Sequence, residues 1–196
     1  MKLPDWLKRL TRSIPGLGIE GQCIRLPSIV CGISKRRYPR AFSLDLPYYQ
    51  QITYNSCGYV AGLTVLHYFF PDRSPKRLLG RVNLTEYGIY YTHMVRALRH
   101  SGLTVQIRYQ LAFEDLASAI DQGWPVIVEV KWGQIEHYVV LGGYQRRPRY
   151  VFLCNHNFKI SRLWNNGWKY SPDPIAWSDF CSVWINNCGY ICHEKT

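Results

Sequence analysis

The sequence contains no long apolar run and no apolar segment directly after Met1. Its longest apolar stretches, such as residues 124–130, fall far short of the ~18 residues that a membrane-spanning helix needs. A secretory signal peptide would place an apolar core close to the N-terminus. We therefore expect neither a transmembrane segment nor a signal peptide.

Acidic residues are also scarce, with 13 Asp+Glu against 24 Lys+Arg in 196 residues, which gives a net charge of +11. A hydrophobic fraction of 47 % and an aromatic fraction of 15 % exclude intrinsic disorder and predict one sizeable core. The positive charge would suit a nucleic-acid partner. However, the sequence lacks ribonucleoprotein, helix-turn-helix and zinc-finger signatures, so we do not expect nucleic acid to bind.

Much of the charge lies in a basic N-terminal extension, residues 1–43, which precedes a compact domain of residues 44–196. Trp6, Leu7, Leu10 and Ile14 have the spacing of one helix face, which predicts a short basic amphipathic helix. We expect residues 1–40 to dock on an acidic protein or on a membrane surface. The alternative is that this helix packs on its own domain.

The seven cysteines are irregularly spaced, which favours free thiols in a reducing, cytoplasmic compartment, with membrane association left open by the basic extension. Cys188, Cys192 and His193 resemble half of a zinc site, but no second pair stands at zinc-finger spacing. We therefore expect buried thiols near the C-terminus, and neither a metal nor another cofactor.

The compact domain shows helical patterns first and strand patterns second. Residues 56–70 are apolar on nearly every face and predict a buried helix, and two amphipathic helices are predicted at residues 91–101 and 113–122. Short β-branched runs predict strands at residues 125–130, 137–144 and 150–154. The order indicates an α+β fold with helices packed on an antiparallel sheet.

The chemistry of the chain centres on Cys57, which the pattern places at the N-terminus of the buried helix. A helix N-terminus and a nearby imidazole both favour the thiolate, so we expect the pKa of Cys57 to fall below that of a free cysteine. Of the six histidines, His137 is the best candidate for the base because it begins a predicted strand. His67 lies inside the apolar helix and reads as a core histidine, and His156 is a spare candidate.

Two amides complete this constellation. Asn155 directly follows the predicted strand 150–154 and could orient the imidazole of His137. Gln51 stands six residues before Cys57 and could donate its side-chain amide to an oxyanion hole, together with the backbone N–H of Cys57. The order Gln, Cys-Gly, His, Asn is far more specific than any of these residues alone and indicates nucleophilic catalysis by a thiol; a peptide or protein substrate is implied by the family resemblance that follows.

Residues 46–51, 55–58, 123–128, 137–144 and 151–155 together resemble the bacterial, papain-like cysteine peptidases of the bacteriocin-processing, double-glycine type. The resemblance covers about residues 44–186. It implies a papain-like fold in which the helix of Cys57 packs on an antiparallel sheet that carries His137. It also implies proteolysis by a catalytic triad through an acyl-thioester on Cys57.

The sequence departs from that family at two positions. Asn155-His156 stands where the family usually has Asp-Pro, although papain itself uses Asn as the orienting residue, and Tyr59 stands where the family often has Pro. Family members are commonly fused to an exporter and its ATPase, whereas we expect this chain to be a stand-alone domain. Two alternatives to the peptidase stay open: a papain-like acyltransferase or cyclising enzyme, and a catalytically inactive binding domain.

Overall fold

The fold is taken from a computed structural model. It describes residues 18–19, 23–31, 38–51, 53, 55–74, 85, 88–154 and 174–195, with the backbone alone for residues 18–31 and 132. The predicted helix at residues 5–14 lies outside the described residues. Of the helices in the described ranges, none is long and apolar enough to cross a bilayer.

A large antiparallel sheet forms the centre of the domain. Its strand order is β5, β10, β6, β7, β8 and β9, and β3 pairs with the end of β7. The bounds are β3 Phe42–Ser43, β5 Leu103–Arg108, β6 Val126–Trp132, β7 Ile135–Gln145, β8 Tyr150–Cys154, β9 Pro174–Ala176 and β10 Trp184–Glu194. The C-terminal strand β10 therefore lies between β5 and β6, inside the sheet.

A smaller antiparallel sheet joins the N-terminal extension to the domain. It contains β1 (Gly18–Ile19), β2 (Cys23–Cys31) and β4 (Leu46–Gln51), in that order. Because β2 pairs with β4, the strand that leads to Cys57, part of the extension is held to the domain by backbone hydrogen bonds. The domain boundary after residue 43 stays a prediction.

The helices are α1 Cys57–Phe69, α2 Tyr91–His100, α3 Phe113–Asp121 and α4 Trp177–Val183. Helix α1 is buried on all sides from Gly58 to His67, as expected for an apolar helix enclosed by its neighbours, and it packs against β4, β7 and α2. Helices α3 and α4 meet through Phe113 and Trp177 on the other face of the sheet. This arrangement confirms the predicted α+β fold.

His67 is a core histidine, as predicted. The Tyr49 hydroxyl hydrogen-bonds to its Nδ1, and its Nε2 lies 2.6 Å from the carbonyl oxygen of Arg73. Because both ring nitrogens have partners inside the protein, burial of this imidazole costs little. The bond from Tyr49 also ties β4 to α1.

The cysteines follow the sequence interpretation in part. Cys188 and Cys192 are buried free thiols in β10, as predicted. Cys154, at the end of β8, is disulfide-bonded, with a partner outside the described side chains. The expectation of a free thiol is therefore wrong for Cys154, and the reducing, cytoplasmic compartment stays a prediction.

Gly142 provides a test of how β4 seats on the sheet. It lies at an irregularity between β7 and β8, where a Cβ would overlap the side chain of the fully buried Leu46. We expect Gly142→Ala to destabilise the fold by about 1–3 kcal/mol through overpacking, seen as a lower Tm. In a double-mutant cycle, the loss caused by Gly142→Ala should be smaller in a Leu46→Ala background than in the wild type, by more than about 0.5 kcal/mol. Strictly additive losses would contradict this contact.

Candidate active site

The turn before α1 is organised around one backbone carbonyl. The oxygen of Thr53 accepts hydrogen bonds from Gln51 Nε2 at 2.7 Å and from Ser56 Oγ at 3.0 Å. Asn55 Nδ2 donates to the carbonyl of Thr85 at 2.7 Å and so ties the turn to a second segment. The Ser56 hydroxyl donates to Thr53 and does not accept from the helix, so no side-chain cap satisfies the first-turn N–H groups of α1. That turn also has no acidic residue.

The first turn of α1 lies directly against the start of β7. A Cβ on Gly58 would lie 3.0 Å from Cδ2 of Tyr138 and 3.5 Å from Cβ of Ile89. Any side chain at residue 58 would therefore push the Tyr138 ring away from the helix. The glycine of the Cys-Gly pair allows this close approach.

The thiol of Cys57 is partly buried and lies at the edge of β7. Backbone N–H groups of Tyr138, Gly58 and Cys57 itself point at the sulfur, and each lowers its pKa. Described pairing of β7 with β8 runs only from Val140 to Gln145, so the sulfur meets β7 just beyond that ladder. A helix N-terminus and a strand edge thus converge on one nucleophilic atom.

His137 is the residue directly before Tyr138 in β7, where it pairs with Val130 of β6, and it is buried. The backbone N–H of Tyr138 meets the sulfur of Cys57, so the thiol lies beside the part of β7 that carries His137. The structure brings the backbone at His137 and Tyr138 to the thiol; imidazole catalysis stays a prediction.

The two predicted amides have different outcomes. Gln51 is buried at the end of β4. The hydrogen bond from its side-chain amide to the carbonyl of Thr53 places it in the turn that precedes Cys57. Asn155 and the spare candidate His156 follow β8 directly and lie outside the described residues. Their catalytic roles stay predictions.

The expected low pKa of the thiol is wrong. The pKa of Cys57 is raised, first by burial and also by the charge of Glu129 on β6, and the three backbone N–H groups offset only part of this increase. Burial raises the pKa because desolvation penalises the thiolate more than the neutral thiol. In the resting protein the thiol is therefore protonated at neutral pH.

Sequence reasoning missed Glu129 and Tyr138 as part of the site. They are cross-strand partners in β6 and β7, and the Tyr138 hydroxyl donates a hydrogen bond to the Glu129 carboxylate. A signal was available: Glu129 is an acidic residue within an otherwise apolar strand pattern. Such a residue is seldom placed in a strand core without a reason.

A nucleophilic cysteine at a helix N-terminus, seated on an antiparallel sheet, is the arrangement of papain-like cysteine peptidases. The profile of the Peptidase_C39-like family matches residues 43–187. The chain belongs to this family and is a papain-like cysteine peptidase. No curated protein sequence matches the chain significantly.

Solved structures of the same fold are distant in sequence. A double glycine motif protease from an AMS/PCAT transporter, in complex with the leader peptide, is 17 % identical over 77 % of this chain and 94 % of its own, with a TM-score of 0.57. The peptidase domain of Streptococcus ComA, a bifunctional ABC transporter in quorum sensing, is 18 % identical over 74 % of this chain and 96 % of its own, with a TM-score of 0.58. The peptidase C39-like domain of a Vibrio parahaemolyticus toxin secretion ATP-binding protein is 14 % identical over 73 % of this chain and all of its own, with a TM-score of 0.51. These likenesses confirm the papain-like fold.

The raised pKa of Cys57 leads to a pH prediction. Because alkylation needs the thiolate, labelling of Cys57 by iodoacetamide should rise with pH and reach half its maximum above the ~8.5 of a free cysteine. Glu129→Gln should lower that midpoint, since it removes a negative charge that raises the pKa. Peptide mapping across a pH series measures the rate at each cysteine.

The exposed Glu114 of α3, which pairs with Arg146 at 3.4 Å, is the control, and Glu114→Gln should leave the midpoint unchanged. A wild-type midpoint below that of free cysteine would show that the thiolate is already stabilised in the resting enzyme.

Proposed function

We propose that this peptidase cleaves peptide bonds through an acyl-thioester on Cys57, with His137 as the general base. The observation that carries the proposal is the position of the thiol, among three backbone N–H groups at the N-terminus of α1 and against the strand of His137. Residues 44–196 form the peptidase domain in this proposal. The raised pKa of the thiol assigns the base a defined task, because the proton must leave as the sulfur attacks.

In the first step the imidazole of His137 takes the thiol proton while the sulfur of Cys57 bonds to the carbonyl carbon. The imidazolium then gives that proton to the leaving amine, and the C–N bond breaks to leave a thioester. In the second step water gives a proton to His137, attacks the thioester and releases a carboxylic acid and the thiol.

Gln51 and the N–H of Cys57 form the proposed oxyanion hole. A carboxamide carries two N–H donors, and the bond from Gln51 to the carbonyl of Thr53 uses one of them and fixes the side chain. Donors held in place before the reaction stabilise the tetrahedral intermediate without reorganisation. Asn155, which follows β8, is the proposed acceptor for the second nitrogen of His137.

A peptide segment with two consecutive glycines is the proposed substrate. One solved structure of the same fold is that of a double glycine motif protease in complex with the leader peptide. Tyr138 packs closely on Gly58, the residue after Cys57, and in this proposal that packing narrows the approach to the thiol. Residues without side chains would pass such a constriction most easily.

Four variants test the roles, assayed on a fluorogenic peptide with Gly-Gly before the leaving group. We expect Cys57→Ala to abolish turnover, His137→Ala to lower it by orders of magnitude, and Asn155→Ala to lower it less. Gln51→Ala should cost about 10²–10³-fold in kcat, as for an oxyanion donor. Cys181→Ser, at another partly exposed thiol, is the matched control and should retain full activity.

If His156→Ala is inactive and Asn155→Ala is normal, the orienting residue has been misassigned. Product that contains an added amine in place of a free carboxylate would identify the acyltransferase alternative. An inactive wild type with an unreactive Cys57 would support the binding-domain alternative.

We further propose that the basic extension docks this enzyme on an anionic membrane surface. The amphipathic pattern of residues 5–14 and the net charge of +11 support it, and an acidic protein partner is the alternative. Because β2 pairs with β4, deletion of residues 1–40 would also remove part of the smaller sheet. Charge substitutions therefore test docking better than truncation does.

The variant Lys8→Gln, Arg9→Gln and Arg12→Gln should lose binding to phosphatidylserine vesicles in a cosedimentation assay, and it should keep its Tm. Binding of the wild type should weaken between 0.1 M and 1 M salt, as the Debye length falls from ~10 Å to ~3 Å. A charge-matched control outside the extension replaces the exposed Arg96, Arg147 and Lys195 with Gln. Equal binding by both variants would contradict docking through the helix.

A further inference from the structure

Glu129 is a carboxylate beside the nucleophile for which the proposed mechanism has no use. It projects from β6 on the α1 side of the sheet, and its charge acts on Cys57, Tyr138, Cys188 and Tyr190. No ion pair in the described part of the chain includes Glu129. The nearest cation along β6, Lys131, pairs instead with Glu136 at 3.8 Å.

Aromatic rings lead from this carboxylate to the surface. The rings of Tyr138 and Tyr190 lie 6.3 Å apart, and Tyr91 of α2 stacks on Tyr190 at 6.0 Å. Tyr138 and Tyr190 are buried, whereas Tyr91 is 41 % exposed and Tyr109, which lies near Tyr190, is 61 % exposed. The ring series therefore begins at the active site and ends in solvent.

The combination of one carboxylate and several tyrosine rings has a chemical preference. Burial raises the pKa of Glu129, which reflects the cost of an ionised group that is half removed from water. A cation placed beside it would offset that cost through a charge-assisted hydrogen bond. The faces of tyrosine rings also attract cations, most strongly where water is excluded.

We propose that Glu129, Tyr138, Tyr190 and Tyr91 form a substrate subsite that accepts a lysine or arginine side chain of the peptide being cleaved. The proposal rests on the proposed function, since the subsite selects substrate only if Cys57 attacks it. The subsite lies on the α1 side of β7, the side covered by the Tyr138 ring. It gives this basic protein a locally acidic active site.

The test uses irreversible peptidyl acyloxymethyl ketones that end in Gly-Gly at the reactive group. They carry either lysine or the uncharged, similarly long norleucine at one of the next three positions. We measure the second-order rate constant for modification of Cys57 by each probe. At one position the lysine probe should react at least about 10-fold faster, as expected for a hydrogen bond to a charged group.

Glu129→Gln keeps the shape and a hydrogen-bond acceptor for Tyr138 and removes the charge. It should reduce the lysine preference to within about twofold, and the ratio of the two probes cancels any change in thiol reactivity. Tyr91→Ala, at an exposed position, should reduce the preference severalfold by removing a ring face. Glu114→Gln on α3 is the matched control and should retain the full preference.

Each outcome separates the subsite from the proposed function. Equal modification of Cys57 by both probes at every position would overturn the subsite and leave the peptidase intact. A preference that survives Glu129→Gln would also overturn it. Failure of every probe to modify Cys57 would overturn the proposed function and the subsite with it.

Discussion

The contact between the first turn of α1 and the start of β7 is the constraint on which the site depends. The side chain of Tyr138 closes over Gly58, and the backbone N–H of Tyr138 meets the sulfur of Cys57. A larger residue at 58 would press on the Tyr138 ring and shift the contact between the helix of Cys57 and the strand of His137. Two further contacts fix the neighbouring elements. The hydrogen bond between Tyr49 and His67 joins β4 to α1, and the packing of Leu46 against Gly142 joins β4 to β7.

Burial at this contact sets the chemical state of the nucleophile. Three backbone N–H groups stabilise a thiolate, yet desolvation and the nearby Glu129 outweigh them and keep the pKa of Cys57 raised. A protonated resting thiol is less exposed to oxidation and alkylation than a thiolate would be. With a raised thiol pKa, the proton has to be removed for the sulfur to attack, which is the task that the proposal gives to His137.

Among the described residues, the charge that acts on Cys57 is opposite in sign to the net charge of the chain. Lys and Arg outnumber Asp and Glu by 24 to 13, but the charged group that acts on Cys57 is the carboxylate of Glu129. Net charge acts at long range and is screened by salt, whereas a half-buried carboxylate acts over a few ångströms in a low dielectric. The charge that a binding partner meets at the protein surface can therefore differ in sign from the charge beside Cys57.

The sequence by itself determined the elements with a strong period and the position of Cys57 at the start of a buried helix. The apolar run of α1, the amphipathic patterns of α2 and α3 and the β-branched runs of β6, β7 and β8 all formed near the predicted bounds, because local spacing decides which face each element buries. Only the tertiary structure placed β10 inside the sheet and paired β2 with β4, since pairing partners are chosen by contacts remote in sequence. The tertiary structure alone also decided the pKa of Cys57 and the proximity of Glu129. Desolvation and charge act through space, and the spacing of residues along the chain does not show how much water an atom loses on folding.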